Sequence, residues 1–182
     1  VATALLAFYL QIKVGHIEAG LRTGDKWQPF PEEINRKIAG VIADLHFAPT
    51  EQNRQNLLTE GVPAEIISVT GNPVIDALQI ISAEPEPSTV KELLDELGLN
   101  AGKRLVVITA HRRENFGEPL RNICTAISQL AEIYEKQVAF VYPVHLNPNV
   151  QKPVYEQLSG ITNVELIPPL DYLPLVHLLK HA

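Results

Sequence analysis

The sequence predicts an α/β protein made of two open parallel sheets, and three observations carry that expectation. Short apolar runs alternate with longer amphipathic ones along all 182 residues. The apolar runs end in glycine or proline turns that open the next helix, as parallel strands with helical crossovers require. One proline-rich stretch, Glu84-Pro-Glu-Pro-Ser88, divides the alternation. Residues 1–83 and 89–182 are therefore expected as parts of two domains joined by the linker 84–88, each with about three strands.

Residues 1–11 read as the tail of a helix with Leu5, Leu6, Tyr9 and Leu10 as its apolar stripe. In 14–19, Val14, His16 and Glu18 alternate with Gly15, Ile17 and Ala19 as a strand requires. Glu18 then falls at a strand's carboxyl end, where open α/β sheets bind ligands. Gly20 and Gly24 punctuate the next loop, which carries Arg22, Thr23, Asp25 and the only tryptophan, Trp27. Pro31 opens a helix with Ile34, Ile38, Val41 and Ile42 on one face and Glu33 and Lys37 as an exposed pair. Leu45-His-Phe-Ala48 is a short strand stopped by Pro49, with His46 in its core or at its edge. Thr50 caps a polar helix that Gly61 ends. Residues 66–70 make another strand, and Gly71-Asn72-Pro73 leads into a helix through Ile81.

Beyond the linker, Thr89-Val-Lys-Glu92 has the spacing of a capping box, with Val90, Leu93, Leu94 and Leu97 as the buried stripe and Gly98 as the stop. Leu105-Val-Val-Ile-Thr109 is apolar enough to be buried on both faces of a parallel sheet. The loop 111–117 follows, then a helix from Pro119 to about Tyr134, a strand over 138–142, a helix to about Leu158, a strand over 164–167 and a helix from Tyr172.

With 46% hydrophobic residues and a mean hydropathy of +0.03 the chain has the material for a sizeable core. A net charge of -6 argues against a nucleic-acid surface, and leaves basic pairs such as Arg112-Arg113 as local site features. Cys124, the single cysteine, has no intrachain partner, reads as a small buried hydrophobe and fits a reducing cytoplasm. The apolar stretch 1–10 is too short to span a bilayer and lacks a basic region before it, so no signal or membrane anchor is expected. The absence of methionine points to an internal stretch of a longer protein.

Glu32 and Arg36 lie four apart on one helical face, and with Glu18 they supply two carboxylates and a guanidinium for one crevice. The helix dipole alone also accounts for Glu32 and Glu33 in a first turn, so spacing leaves both readings open. Two strands in the second half end in histidine loops, Thr109-Ala-His111-Arg112-Arg113 and Tyr142-Pro-Val-His145. Histidine and arginine beside the N–H groups that open a helix suit a diphosphate; alternatively an arginine pairs with Glu114 and the histidines are polar loop residues. No Gly-x-Gly-x-x-Gly, Walker loop or metal-ligand spacing is present.

Five runs carry a resemblance. Gly15-His-Ile-Glu-Ala-Gly-Leu-Arg-Thr-Gly24, Pro31-Glu-Glu-Ile-Asn-Arg36, Thr70-Gly-Asn-Pro-Val-Ile-Asp76, His111-Arg-Arg-Glu-Asn115 and Tyr142-Pro-Val-His-Leu-Asn-Pro148 resemble, in order and over most of the chain, the non-hydrolysing UDP-N-acetylglucosamine 2-epimerases. The resemblance implies two Rossmann-like domains of GT-B type, both incomplete here, with the sugar nucleotide in the cleft between them. It implies reversible epimerisation of UDP-N-acetylglucosamine to UDP-N-acetylmannosamine without a metal or redox cofactor. The expected steps are loss of the C2 proton with departure of UDP, then re-addition to bound 2-acetamidoglucal with protonation on the other face. By the same resemblance Glu18 and Glu32 are the carboxylates, Arg36 steers or neutralises near them, and His111 contacts the diphosphate. Pro169-Leu-Asp-Tyr-Leu-Pro-Leu175 is similar to the uracil-pocket segment, although Leu170 and Leu175 stand where some relatives have glutamine and phenylalanine, which leaves backbone or apolar contact there. Arg112 and His145 match positions that contact a second, activating UDP-N-acetylglucosamine in bacterial members, and a homodimer is implied for the complete protein.

The family's His-Gly-Asp segment is expected just before Val1 and its UDP-binding Ser-Gly-Gly loop just after Ala182, so residues 1–182 alone are expected to be inactive, with apolar strand edges at 14–19 and 105–109. The alternatives are a hydrolysing epimerase, a GT-B glycosyltransferase and a catalytically silent nucleotide-sugar binding domain.

Overall fold

Parallel strand pairing organises the computed structural model, which describes residues 1–99 and 102–182. Contacts divide the chain into two compact units, Val1–Asp76 and Ala77–Ala182. In the first unit, helix α1 (Ala2–Tyr9) precedes strand β1 (Gly15–Ile17), helix α2 (Glu32–Ile42), strand β2 (Leu45–Ala48), helix α3 (Glu51–Thr59), a 3-10 turn (Ala64–Ile66) and strand β3 (Ile67–Val69). Helix α4 (Pro73–Ser82) follows. The sheet runs β1-β2-β3, with His16 opposite His46 and His46 opposite Ile67. Its core is small: Ala19, Ala48, Leu57 and Ile67.

Of the expectations for the two amphipathic helices of this unit, the apolar stripes stand and the exposure of Glu33 is overturned. In α1 no residue is buried, and Leu5, Leu6, Tyr9 and Leu10 are exposed. In α2, Ile34, Ile38, Val41 and Ile42 share one face as expected and border a groove with Leu5 of α1, with Val41 88% exposed, whereas Glu33 is at 0%. Periodicity locates an apolar face but not what that face packs on, and polar loop backbone compensates the carboxylate on the other side. Thr50 caps α3 as expected, its hydroxyl accepting from Asn53 N–H at 3.3 Å.

In the second unit, helix α5 (Ser88–Glu96) is followed by strand β4 (Arg104–Val107), a 3-10 turn (Arg113–Asn115), helix α6 (Glu118–Ile133), strand β5 (Val138–Pro143), helix α7 (Pro148–Leu158), strand β6 (Val164–Ile167) and helix α8 (Tyr172–Lys180). The order is β4-β5-β6. Phe140 and Tyr142 of β5 pack with Leu120, Cys124 and Ile127 of α6 and Val154 of α7, while Val141 packs with Val90 and Leu94 of α5 and Leu178 of α8. Helices thus cover both faces of the sheet, and each large apolar side chain buried there stabilises by roughly 1.5–3 kcal/mol.

It is β5, rather than 105–109, that is buried on both faces; β4 lies at the edge of the described sheet, and Val106 is exposed. The capping box at Thr89 does not form. Pro87, already extended, is the N-cap, and Ser88 starts the helix, so Thr89 falls inside the first turn. The end of α4 and the proline-rich segment 84–88 are tied to the end of α8 and the residue after it: Lys180 Nζ donates to the Ser82 carbonyl at 2.8 Å, and His181 Nε2 lies 2.5 Å from Glu86 Oε1. Among the described residues no helix is long and apolar enough to cross a membrane.

Candidate active-site loops

Glu18 stands immediately beyond β1 with φ of +59°, a left-handed conformation that costs a non-glycine residue about 1–3 kcal/mol and that concentrates at functional sites. The chain is locked just after it. Ala19 N–H donates to the Phe47 carbonyl at 3.0 Å, and the side-chain amides of Asn53 and Asn56 donate to the Gly20 carbonyl at 3.2 and 2.9 Å. Gly20 has φ of +83°, and a Cβ there would meet the Asn53 carbonyl oxygen at 2.1 Å, so only glycine fits.

The loop then returns to α2, where Glu32 is the first helical residue and is exposed. Its neighbour Glu33 is not the exposed partner of Lys37 that spacing suggests. Glu33 Oε2 accepts from Thr23 N–H and Oε1 from Gly24 N–H, each at 3.2 Å, and Arg36 Nη1 is 3.7 Å from Oε2. Arg36 is half-buried and makes its ion pair with Glu33. Sequence reasoning missed Glu33. The available signal is that it lies opposite the isoleucine face, next to a glycine-bearing loop rich in backbone donors.

Beneath this loop Arg22 is nearly buried and bidentate to Glu60, with both N–O distances at 2.7 Å. The guanidinium's hydrogen bonds hold the Glu60 carboxyl below its usual range. His16 and His46 face each other across β1 and β2 with ring centroids 6.2 Å apart. Burial lowers the pKa of both, and their mutual repulsion adds to the shift at His16. His46 is a core residue, and its Nδ1 has no hydrogen-bond partner among the described residues.

In the second unit the histidine loops after β4 and β5 meet. The His111 and His145 rings stack with centroids 5.2 Å apart and 15° between planes. Asn147 N–H donates to His145 Nδ1 at 3.1 Å, so the proton of a neutral His145 ring sits on Nε2. Tyr142, wholly buried, donates its hydroxyl to the Ala110 carbonyl at 2.6 Å and thereby fixes the residue before His111. Burial pushes that hydroxyl up to about 12. Ile108, Thr109, Ala110, His111, Arg112 and Asn115 border an open cavity of about 600 Å³, within the range of ligand pockets. Arg112 lies 3.6 Å from Glu114, so the ion-pair alternative is formed there; both side chains are exposed, and such a pair is worth about 0–1 kcal/mol, little resistance to an incoming anion. Leu170 is half-buried against the apolar cluster containing Leu94 and Leu178, and Leu175 is half-buried in α8. Among the described residues no group of three His, Cys, Asp or Glu side chains is placed to hold a metal ion.

Parallel three-stranded sheets whose strand-end loops carry the polar groups place the chain among α/β proteins of GT-B type, built from Rossmann-like units. The family model for UDP-N-acetylglucosamine 2-epimerase matches residues 1–182, and the chain belongs to that family. It is 52% identical over 187 residues to the UDP-N-acetylglucosamine 2-epimerase of Salmonella typhimurium, covering 100% of this chain and 49% of that protein. Among solved structures it resembles the Neisseria meningitidis UDP-GlcNAc 2-epimerase bound to UDP-GlcNAc, with a TM-score of 0.91 and 46% identity over 100% of this chain and 49% of that one. The Methanocaldococcus jannaschii enzyme in complex with UDP-GlcNAc and UDP aligns with a TM-score of 0.76 at 33% identity, covering 100% and 49%. The chain thus spans about half the length of the curated relatives it matches.

Proposed function

We propose that a full-length protein carrying these residues interconverts UDP-N-acetylglucosamine and UDP-N-acetylmannosamine by eliminating and re-adding UDP, without hydrolysis. The observation that supports this most is the pair of exposed carboxylates on one loop and the helix it enters: Glu18 in a left-handed conformation at the end of β1 and Glu32 at the first position of α2. One takes the C2 proton as the C1–O bond breaks, and its electron pair leaves with UDP. The C1–C2 double bond of 2-acetamidoglucal forms, and UDP re-adds as a proton is delivered to the opposite face of C2. Arg36 steadies the charge around these carboxylates. His111, at the rim of the cavity after β4, contacts the departing diphosphate, and Leu170 and Leu175 give apolar or backbone contact to the uracil.

The stacked partner His145 and the weakly paired Arg112 serve a second, activating UDP-N-acetylglucosamine. Residues 1–83 and 89–182 belong to the N-terminal and the UDP-binding domain of a cytoplasmic homodimer, joined by 84–88. The sugar nucleotides bound to the Neisseria and Methanocaldococcus relatives support this choice of ligand.

The test is incubation of the full-length protein with UDP-N-acetylglucosamine in deuterated water. UDP-N-acetylmannosamine with deuterium at C2 is expected, and Glu32→Gln and Glu18→Gln should each lose turnover by roughly 10²- to 10⁴-fold while still binding substrate. His111→Ala should also weaken UDP binding. Free N-acetylmannosamine and UDP as products, transfer of the sugar to an acceptor, or tight binding with no C2 exchange would each refute the proposal in favour of a hydrolase, a transferase or a silent binding protein.

A further inference from the structure

We propose that Glu33 is a positioning residue for the C2 chemistry: its buried carboxylate clasps the glycine loop that follows Glu18 to the helix that begins with Glu32. The inference rests on the epimerase reading above and adds to it a residue that touches no substrate.

Three features carry it. Glu33 is wholly buried in a unit whose apolar core is small, and a buried carboxylate is retained only where its lone pairs are met. Here they are met by loop backbone. The N–H groups of two successive residues, Thr23 and Gly24, reach the two carboxylate oxygens, and Gly24 at φ of +81° lets them converge as an anion-binding concavity. Arg36 closes the third side. The residue also works from its other end, because its own N–H donates to the Pro29 carbonyl at 3.1 Å. One residue therefore holds both the start and the end of the segment 23–29.

The clasp bears on the reaction because of what it joins. The loop's beginning is fixed by the hold of α3 on Gly20, two residues after Glu18, and its end runs into Glu32, directly before Glu33. The distance between the two proposed proton-transfer groups is thus set through Thr23, Gly24 and the Glu33 side chain. The Thr23 hydroxyl stiffens the span by donating to the Gln28 carbonyl, and Asp25 does so by accepting from Trp27 N–H at 2.9 Å. Glutamine at position 33 presents one carbonyl oxygen where two acceptors are required and turns an N–H₂ group towards a backbone donor. Aspartate keeps the charge but is a methylene too short to meet both amides. Neither restores the clasp.

The experiment uses the full-length protein with Glu33→Gln and Glu33→Asp. C2 proton exchange, KM for UDP-N-acetylglucosamine, and the kinetic isotope effect with C2-deuterated substrate are measured per UDP-binding site counted by calorimetry. Displacing the acid and base relative to each other should lower kcat about 10- to 100-fold, leave KM within about twofold and raise the isotope effect as proton transfer becomes limiting. A purely architectural role would lower the count of binding sites or the melting temperature and leave kcat per site and the isotope effect where they were. Parent values of kcat per site in either variant overturn the inference, also when the variant is only partly folded. No C2 exchange in the parent overturns the epimerase reading together with this one, whereas exchange in the parent that Glu32→Gln abolishes and both Glu33 variants retain overturns this one alone.

Discussion

Replacing Tyr142 by phenylalanine removes one oxygen atom from the most deeply buried strand and leaves the Ala110 carbonyl without its 2.6 Å donor. The ring and its packing against α6 and α7 are unchanged, so the cost is that of an unmet acceptor, about 1–3 kcal/mol, towards the lower end because Ala110 is only half-buried. For a chain of this size that is a fall in Tm of roughly 2–8 °C. The pH dependence is the sharper signature. Burial raises the hydroxyl from its ordinary value of 10.0 to about 12, so the neutral, donating form is the one that folding favours. Its contribution is whole below pH 10 and is lost as pH rises towards 12. At about 1.4 kcal/mol per unit, the parent should lose roughly 2–3 kcal/mol over that window that the variant does not lose. Urea unfolding of parent and Tyr142→Phe at pH 8 to 11 measures the gap, which should close as pH rises. A variant with the parent's Tm at pH 7 and the parent's alkaline decline would refute the reasoning. On the proposed function the variant should also bind UDP less tightly, because Ala110 leads directly into His111.

Gly20→Ala and Gly24→Ala form a matched pair: both glycines are left-handed, but only Gly20 has a backbone oxygen where the new Cβ would stand. Gly24→Ala should cost about 1–2 kcal/mol for the conformation alone, and Gly20→Ala clearly more by denaturant titration. Equal costs would mean that α3 gives way. Glu60→Gln should destabilise the protein by leaving the nearly buried Arg22 without its carboxylate, and because Arg22 holds the Glu60 carboxyl below 4.5, the difference from the parent should persist at neutral pH and shrink as acid protonates the parent's own Glu60. A difference that does not vary from pH 7 down to acid denaturation would count against the pairing.

The alternation of strand and helix was legible because each short apolar run and its turn residues are local signals, and so were the Thr50 cap and the burial of Cys124. The loops at strand ends were equally readable: Glu18, His111 and His145 all stand where the pattern places them. What stayed hidden depends on partners distant in sequence. Glu33 looks solvated until Thr23 and Gly24, ten and nine residues before it, are seen to meet it. The stack of His111 on His145 joins residues 34 apart in the loops that follow neighbouring parallel strands, a pairing that no local periodicity encodes.

The central position of β5 should make the two halves of that stack unequally firm. Segments hydrogen-bonded on both sides and covered on both faces open last, whereas edge strands fray sooner. His145 leaves the sheet from β5, and His111 leaves it from β4. The two rings form one stack, yet one follows a strand paired on both sides and the other a strand paired on one side among the described residues. In residues 1–182 any excursion that parts them is therefore expected to begin on the His111 side, while His145 waits in place as the fixed half to which the other returns.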